Sequence, residues 1–318
     1  MPKAIFFTRL PADTAALLTD QAPPAIDVQT YPMSMPDKEK AQLVADADFL
    51  ILFPGTIGDE VLRAAKKTKL VQLVSVGFDQ MNLSLCSELG VPVATNGGTN
   101  ALDVAEHTIA MILAMYRRFV EMDHNVRTNN WRGIDSGSTT YCIDGKTVGL
   151  IGFGQIGQRV ARLLRAFGAT VIYYDAYPAK PEVEQELGVE RVELDDLMRR
   201  ADIVSLHVPL NESTQGLINE RSLSLMKSNA ILVNTCRGPV VDEAALAAAL
   251  QQGKIAGAAL DVLVSEPPST DNPLLQLDNV LFTPHTAGVT RDTWARRGKF
   301  IFANLQRVWS GETPLATV

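Results

Sequence analysis

The chain has 318 residues, of which 46% are apolar and 20% charged, and a formal net charge of −7. This length points to two globular domains, and the acidic balance argues against nucleic acid as a general partner. Three cysteines, Cys86, Cys142 and Cys236, form no CxxC pair, which argues against a disulfide framework or zinc site and fits a reducing compartment.

The N-terminal apolar stretch, residues 4–7, is too short for the core of a signal peptide. The longest helix-like apolar stretch, around residues 108–116, falls far below the roughly 20 residues that span a bilayer. A soluble cytoplasmic protein without a membrane partner is expected. Short β-rich runs follow at residues 3–7, 49–53, 70–74, 147–151, 170–174, 203–207, 230–234, 256–260 and 280–283. Several are apolar throughout, as strands covered on both faces should be. They alternate with helical patterns, which predicts α/β architecture with parallel sheets. Residues 136–144 (SGSTTYCID) and 265–272 read as loops. Residues 291–309 predict a long helix with Trp294, Gly298, Ile301, Phe302, Leu305 and Val308 on one face, which needs a docking partner.

The run at residues 147–151 leads into GxGxxG, with Gly152, Gly154 and Gly157 ahead of a helical pattern and another strand. Gly152 permits a tight turn, Gly154 lets backbone approach a pyrophosphate, and Gly157 lets the helix pack near the strand. The amides at the helix start can receive the phosphates. Asp175, at the end of the next strand, can accept hydrogen bonds from the adenosine ribose and would repel a 2′-phosphate. The context predicts a dinucleotide site that favours NAD over NADP. The plain structural alternative is a glycine-rich turn with a chance aspartate beyond it.

Three later segments place charged residues just beyond predicted strands: NTCRGPVVDE (234–243), DVLVSEP (261–267) and TPHTAG (283–288). Ligands of doubly wound sheets bind outside the carboxyl ends of strands, so these segments can converge. Reduction of a 2-keto acid needs forked donors for the carboxylate and ketone, which Arg237 has. It needs a proton donor near neutral pH, which His285 can be. Glu266, on the far imidazole nitrogen, would fix the tautomer and favour the protonated form. Singly, each has a plain alternative: a surface charge, a structural Pro-His turn, a solvated loop. Their joint occurrence downstream of the fingerprint carries the reading.

With these segments, GKTVGLIGFGQIG (145–157) and SLHVPL (205–210), the chain resembles the D-isomer-specific 2-hydroxyacid dehydrogenase family over about residues 70–288. The resemblance implies α/β architecture with two doubly wound parallel-sheet domains. A flavodoxin-like substrate domain would hold residues 1–99 and 289–318. A Rossmann NAD-binding domain, residues 100–288, would be inserted between them, with the active site in the interdomain cleft. Arg237 then matches the substrate-binding arginine, His285 the acid/base and Glu266 its partner. Asp261 matches the residue that holds the nicotinamide carboxamide. His207 and Pro209 match a turn near the cofactor, and Thr108 a cofactor contact. Gln155, Ile156, Thr214, Thr235, Cys236 and Gly288 complete the implied cofactor set. Ser75, Val76 and Gly77 match the loop whose amides meet the substrate carboxylate, and residues 96–100 the domain crossing. The helix at residues 104–118 resembles the arm through which family members form homodimers, with Trp131 packed at that contact. His107 reads as a cap or buttress of its own helix and His124 as a surface residue. No cluster has metal spacing, so no metal is expected.

Three positions depart from the family pattern. Leu263 stands where an aromatic is common, Cys236 where a small residue is common, and Thr286 where an apolar residue is common. Formate dehydrogenases carry Gln in place of Glu266, and phosphite dehydrogenases carry a lysine in the loop at residues 75–77. L-specific lactate and malate dehydrogenases place the fingerprint near the N-terminus. Glyoxylate, hydroxypyruvate, pyruvate and bulkier keto acids all stay open as substrates. One alternative is an NAD(H)-sensing binding protein like the C-terminal-binding co-repressors, although no nuclear-type basic tract or long tail is present. Another is a Rossmann enzyme of different chemistry, such as S-adenosylhomocysteine hydrolysis.

Overall fold

The structure is a computed structural model that describes residues 1–131 and 133–318. Its chain divides into two compact units, Met1–Asn100 with Val289–Val318, and Ala101–Gly288. The first alternates β1 (Lys3–Thr8), α1 (Ala12–Thr19), β2 (Asp27–Pro32), α2 (Asp37–Val44), β3 (Phe49–Phe53), α3 (Asp59–Ala64), β4 (Leu70–Leu73), α4 (Leu83–Glu88) and β5 (Val93–Ala94). Its strands pair in parallel in the order β2-β1-β3-β4-β5. Strand β3 shows why an unbroken apolar run becomes a central strand. Phe49 and Ile51 enter the core on one face, and Leu50 and Leu52 enter the core on the other. Alternation along a strand with both faces covered leaves no polar position.

The second unit opens with α5 (Ala101–Arg117) and α6 (Phe119–Arg127), separated by Arg118 in a left-handed conformation at φ 51°. There follow β6 (Thr147–Ile151), α7 (Gln155–Ala166), β7 (Thr170–Tyr174), α8 (Pro181–Leu187), β8 (Val189–Arg191), α9 (Leu194–Arg200) and β9 (Ile203–Leu206). Next come α10 (Glu220–Leu225), β10 (Ile231–Asn234), α11 (Glu243–Gln251), β11 (Gly257–Leu260) and β12 (Val280–Phe282). The strands pair in parallel in the order β12-β11-β10-β9-β6-β7-β8. The chain returns to the first unit as α12 (Arg291–Trp309). Trp294, Ile301, Phe302 and Leu305 of α12 are buried in the core that also holds Ala15 and Leu18 of α1, with Val308 at its margin. Asn304 of α12 donates to the buried Gln72 of β4 at 2.8 Å, which fixes the rotation of the helix.

Two parallel doubly wound sheets are therefore present, as expected, and all nine expected strands are found. Strands β2, β5 and β8 were not anticipated. They are edge strands. β2 is half-exposed along its length and β5 has only two residues, so neither carries an apolar run. Part of the expected loop at residues 136–144 is also ordered: a single 3-10 turn covers Ile134–Ser138. Ser136 donates to the Gly133 carbonyl at 2.7 Å there, the local side-chain bonding that lets polar sequence hold a turn.

Candidate active site

Strand β6 lies between β9 and β7, so the direction of chain progression reverses at β6, where ligands of such sheets bind. Gly152, directly after β6, has φ +98°, and a Cβ there would sit 2.5 Å from the His207 carbonyl oxygen. A Cβ on Gly157 would sit 2.3 Å from the Gly152 carbonyl oxygen. Neither position accepts a side chain without moving backbone. Around Gly154 the Cβ direction is open. Gly154 is also the N-cap of α7 and offers no side-chain cap. The first-turn amides of Gln155, Ile156 and Gly157 thus lack partners within the helix and face an open approach. That donor set fits a dinucleotide pyrophosphate.

At the end of β7, Asp175 accepts from Phe153 N at 2.7 Å through Oδ2 and from Tyr177 N at 2.9 Å through Oδ1. Each oxygen keeps a lone pair for a ribose hydroxyl. After β9, the His207 Nε2 lies 3.0 Å from Ser205 Oγ, and enclosure of the ring pushes its pKa down to about 3, so His207 is neutral. Thr214 closes the following turn by donating to the Pro209 carbonyl at 2.6 Å. Thr108 on α5 donates to Val104 O at 2.8 Å and lies 3.2 Å from Thr235 Oγ1, so the Thr235 hydroxyl is the donor between them. Burial pushes the Cys236 thiol up to about 11, which keeps it protonated and non-nucleophilic.

Arg237, Glu266 and His285 follow the carboxyl ends of β10, β11 and β12, three neighbouring strands. Glu266 Oε2 lies 2.6 Å from His285 Nδ1, while Oε1 accepts from Leu263 N at 3.1 Å. An ionised carboxylate is an acceptor only, so Nδ1 carries hydrogen and Nε2 is left to face a ligand. The Arg237 loop abuts the Glu266 loop: a Cβ on Gly238 would lie 2.0 Å from the Leu263 carbonyl carbon. Arg237 Nη1 donates to Cys236 O at 2.7 Å.

Several holding residues were not singled out from the sequence. Buried Asn234 donates to the Arg237 carbonyl at 2.9 Å and accepts from Cys236 N at 3.0 Å. Glu243, at the start of α11, accepts from Val264 N at 2.5 Å and from Asn272 Nδ2 at 2.9 Å, bracing the loop that carries Glu266. Both sit inside the segment chosen for Arg237, and their positions beside a strand end and a helix start were the available signal. Asp261 is buried, and its carboxylate holds the turn that bears His285, accepting from Thr283 Oγ1 at 2.5 Å and from Thr286 N and Ala287 N at 2.9 Å each. His285 itself is left-handed at φ 54°, a conformation that costs a non-glycine residue roughly 1–2 kcal/mol. His107, read as a cap or buttress of its own helix, instead reaches Thr283 Oγ1 with Nε2 at 3.0 Å.

Ser75, Val76 and Gly77 lie in the other unit, after β4, where Ser75 Oγ donates to Gly77 O at 2.7 Å and Asn96 N donates to Ser75 O at 3.1 Å. Gly288 closes the second unit. Among the described residues no group of His, Cys, Asp and Glu could hold a metal ion, and no helix is long and apolar enough to cross a membrane.

The family model for the D-isomer specific 2-hydroxyacid dehydrogenase NAD binding domain matches residues 109–287. The chain is 39% identical over 301 residues to a glyoxylate reductase of Korarchaeum cryptofilum, covering 94% of this chain and 87% of that one. The chain belongs to the D-isomer-specific 2-hydroxyacid dehydrogenase family. It is thereby a member of a family of NAD-dependent oxidoreductases. A D-3-phosphoglycerate dehydrogenase of Mycobacterium leprae is 38% identical over 98% of this chain, which spans 58% of that longer protein. Among solved structures, the NAD-complexed D-isomer specific 2-hydroxyacid dehydrogenase of Lactobacillus delbrueckii ssp. bulgaricus superposes with a TM-score of 0.84 at 28% identity, covering 99% of each chain. The co-repressor alternative finds no support in these comparisons.

Proposed function

We propose that this dehydrogenase reduces small 2-keto acids to D-2-hydroxy acids with NADH. The observation that carries the reading is the 2.6 Å pair between Glu266 Oε2 and His285 Nδ1, which follow β11 and β12 of the same sheet that holds the fingerprint strand β6. Bound NADH supplies the hydride. His285, held by Glu266 through Nδ1, delivers a proton from Nε2 to the ketone oxygen as C2 is reduced, and takes it back in the reverse direction. Arg237 binds the substrate carboxylate and polarises the carbonyl with its forked donors. The amides of Gln155, Ile156 and Gly157 receive the pyrophosphate, and Asp175 the adenosine ribose. Asp261 keeps one lone pair on Oδ2 beyond its protein donors, which suits a carboxamide N–H. Thr108, His207, Pro209, Thr214, Thr235, Cys236 and Gly288 complete the proposed set of cofactor contacts. In the other unit, the loop of Ser75, Val76 and Gly77 after β4 offers main-chain amides of the kind that can receive a carboxylate.

The test is NADH oxidation with a panel of glyoxylate, hydroxypyruvate, pyruvate and bulkier 2-keto acids, with the chirality of each product determined. Turnover to the D-isomer on at least one is expected. NADH binding with no turnover on any of them would overturn the reading in favour of a binding protein.

We also propose a homodimer formed through α5 and α6. None of the α6 residues is buried, and Phe119, Val120 and Val126 are exposed on it, followed by Trp131 at 83% and Ile134 at 96% exposure. Large apolar side chains clustered on one surface segment mark an interaction site.

A further inference from the structure

We propose that His107 is a positioning residue for the His285 acid/base, acting through the Thr283 hydroxyl and the Asp261 carboxylate. The proposal rests on the role given to His285 above. All four residues belong to the same compact unit.

The direction of the hydrogen bonds follows from proton counting. Thr283 Oγ1 lies 2.5 Å from Asp261 Oδ1 and 3.0 Å from His107 Nε2. A threonine hydroxyl has one proton, and a carboxylate can only accept, so that proton belongs to the short bond with Asp261. Thr283 must then accept from His107, which requires hydrogen on Nε2. The relay therefore runs from His107 to Thr283 to Asp261, each donor oriented by the next acceptor.

The far end of the relay is the backbone that presents His285. Asp261 Oδ1 also accepts from Thr286 N, Oδ2 accepts from Ala287 N, and the Asp261 carbonyl accepts from His285 N at 2.7 Å. Residues 283, 285, 286 and 287 are thus all suspended from Asp261. His285 sits at φ 54°, a conformation that a histidine keeps only when its surroundings impose it. Without the His107 donor, the Thr283 hydroxyl gains freedom to rotate, with Met111 Sδ already 3.9 Å away as another acceptor. The Asp261 carboxylate then loses its shortest bond, and the turn can relax away from Glu266. His107 Nε2 also lies 3.7 Å from Asp261 Oδ1, so its effect reaches His285 through Asp261 and the turn that Asp261 holds.

The experiment measures kcat and KM for full-length wild type, His107→Leu and His107→Gln on the best keto acid of the panel, with NADH affinity by fluorescence and folding by Tm. A glutamine amide places an N–H donor close to the Nε2 position, whereas leucine keeps bulk alone. His107→Leu should lower kcat by about 10- to 100-fold, the cost of a small misplacement of a reacting group. KM for the keto acid should stay within about twofold, any loss of NADH affinity through Asp261 should be smaller than the loss in kcat, and His107→Gln should recover most of kcat, if geometry is what His107 supplies. Wild-type kcat in His107→Leu, or a folded His107→Gln as slow as the leucine variant, overturns the relay. If His107→Leu does not fold, Thr283→Ser against Thr283→Val decides it: serine retains activity and valine loses it, and equal activity overturns the relay. A wild type inactive on every keto acid overturns the functional reading and the relay with it. An active wild type beside an equally active His107→Leu overturns the relay alone.

Discussion

Acidification from pH 7.5 to pH 5.0 should expose the energetic cost of keeping His207 neutral inside the fold. The main chain of His207 packs against Gly152, its ring Nε2 lies 3.0 Å from Ser205 Oγ, and burial lowers its pKa from 6.5 to about 3. The folded state therefore binds fewer protons than the unfolded chain between these values. Stability from this group is complete above about pH 6.5 and is lost as pH falls toward 3. Each pH unit in that window costs ~1.36 kcal/mol, so the fall from 6.5 to 5.0 removes about 2 kcal/mol. The residue keeps some solvent exposure, which makes that figure a ceiling. His207→Gln retains an amide that can bond Ser205 but does not titrate. Urea unfolding of both chains at both pH values gives the double difference, in which the carboxylates common to both cancel. Wild type should lose up to about 2 kcal/mol more than the variant on acidification. An equal loss in the two chains would refute desolvation of His207 as the source of acid sensitivity.

Three other outcomes follow from the site and the surface. His285→Ala should lower kcat by about 10²–10⁴ while NADH still binds, read by steady-state kinetics and fluorescence; unchanged kcat removes His285 from the chemistry. Asp175→Ala should weaken NADH and narrow the ratio of kcat/KM for NADH over NADPH, because the carboxylate that would repel a 2′-phosphate is gone. An unchanged ratio would place discrimination elsewhere. Wild type should scatter light as a dimer and Val120→Glu as a monomer at equal concentration; dimers from both would clear α6 of a role in assembly.

The parts of the fold that were legible are those whose constraints are local. Strand β3 reads as a strand because each of Phe49, Leu50, Ile51 and Leu52 meets one of two cores. β2 escaped notice because an edge strand has no second neighbour to demand apolar residues, and its sequence is DVQTYP. The fingerprint was legible because steric exclusion at Gly152 and Gly157 leaves only one residue type possible. The pairing of Glu266 with His285 was legible as a chemical need, not as a contact. Nothing local shows that the loop after β11 and the turn after β12 meet. His107 was misread for the same reason. Its partner Thr283 lies far along the chain, and a helix position viewed alone suggests bonds to its own helix.

The three departures from the family pattern acquire a physical explanation at this level. The side chains given reacting roles are accessible, His285 at 48% and Glu266 at 39%, and a polar pair that exposed contributes little to holding its own geometry. Precision has to come from buried groups behind them, and Asn234 and Asp261, at 1% and 2% exposure, hold the loops by their main chain. Leu263 offers its amide to Glu266, Thr286 its amide to Asp261, and Cys236 its amide to Asn234. Each of these bonds survives a change of side chain, because every residue except proline brings the same N–H. The unusual side chains at 263 and 286 are therefore free to differ without moving Glu266 or His285, while Cys236 adds a bond from its Sγ to Asn234 Oδ1 at 3.1 Å. The constraint at these positions lies in the backbone, and the chemistry stays with the residues that the buried carboxylate and amide hold in place.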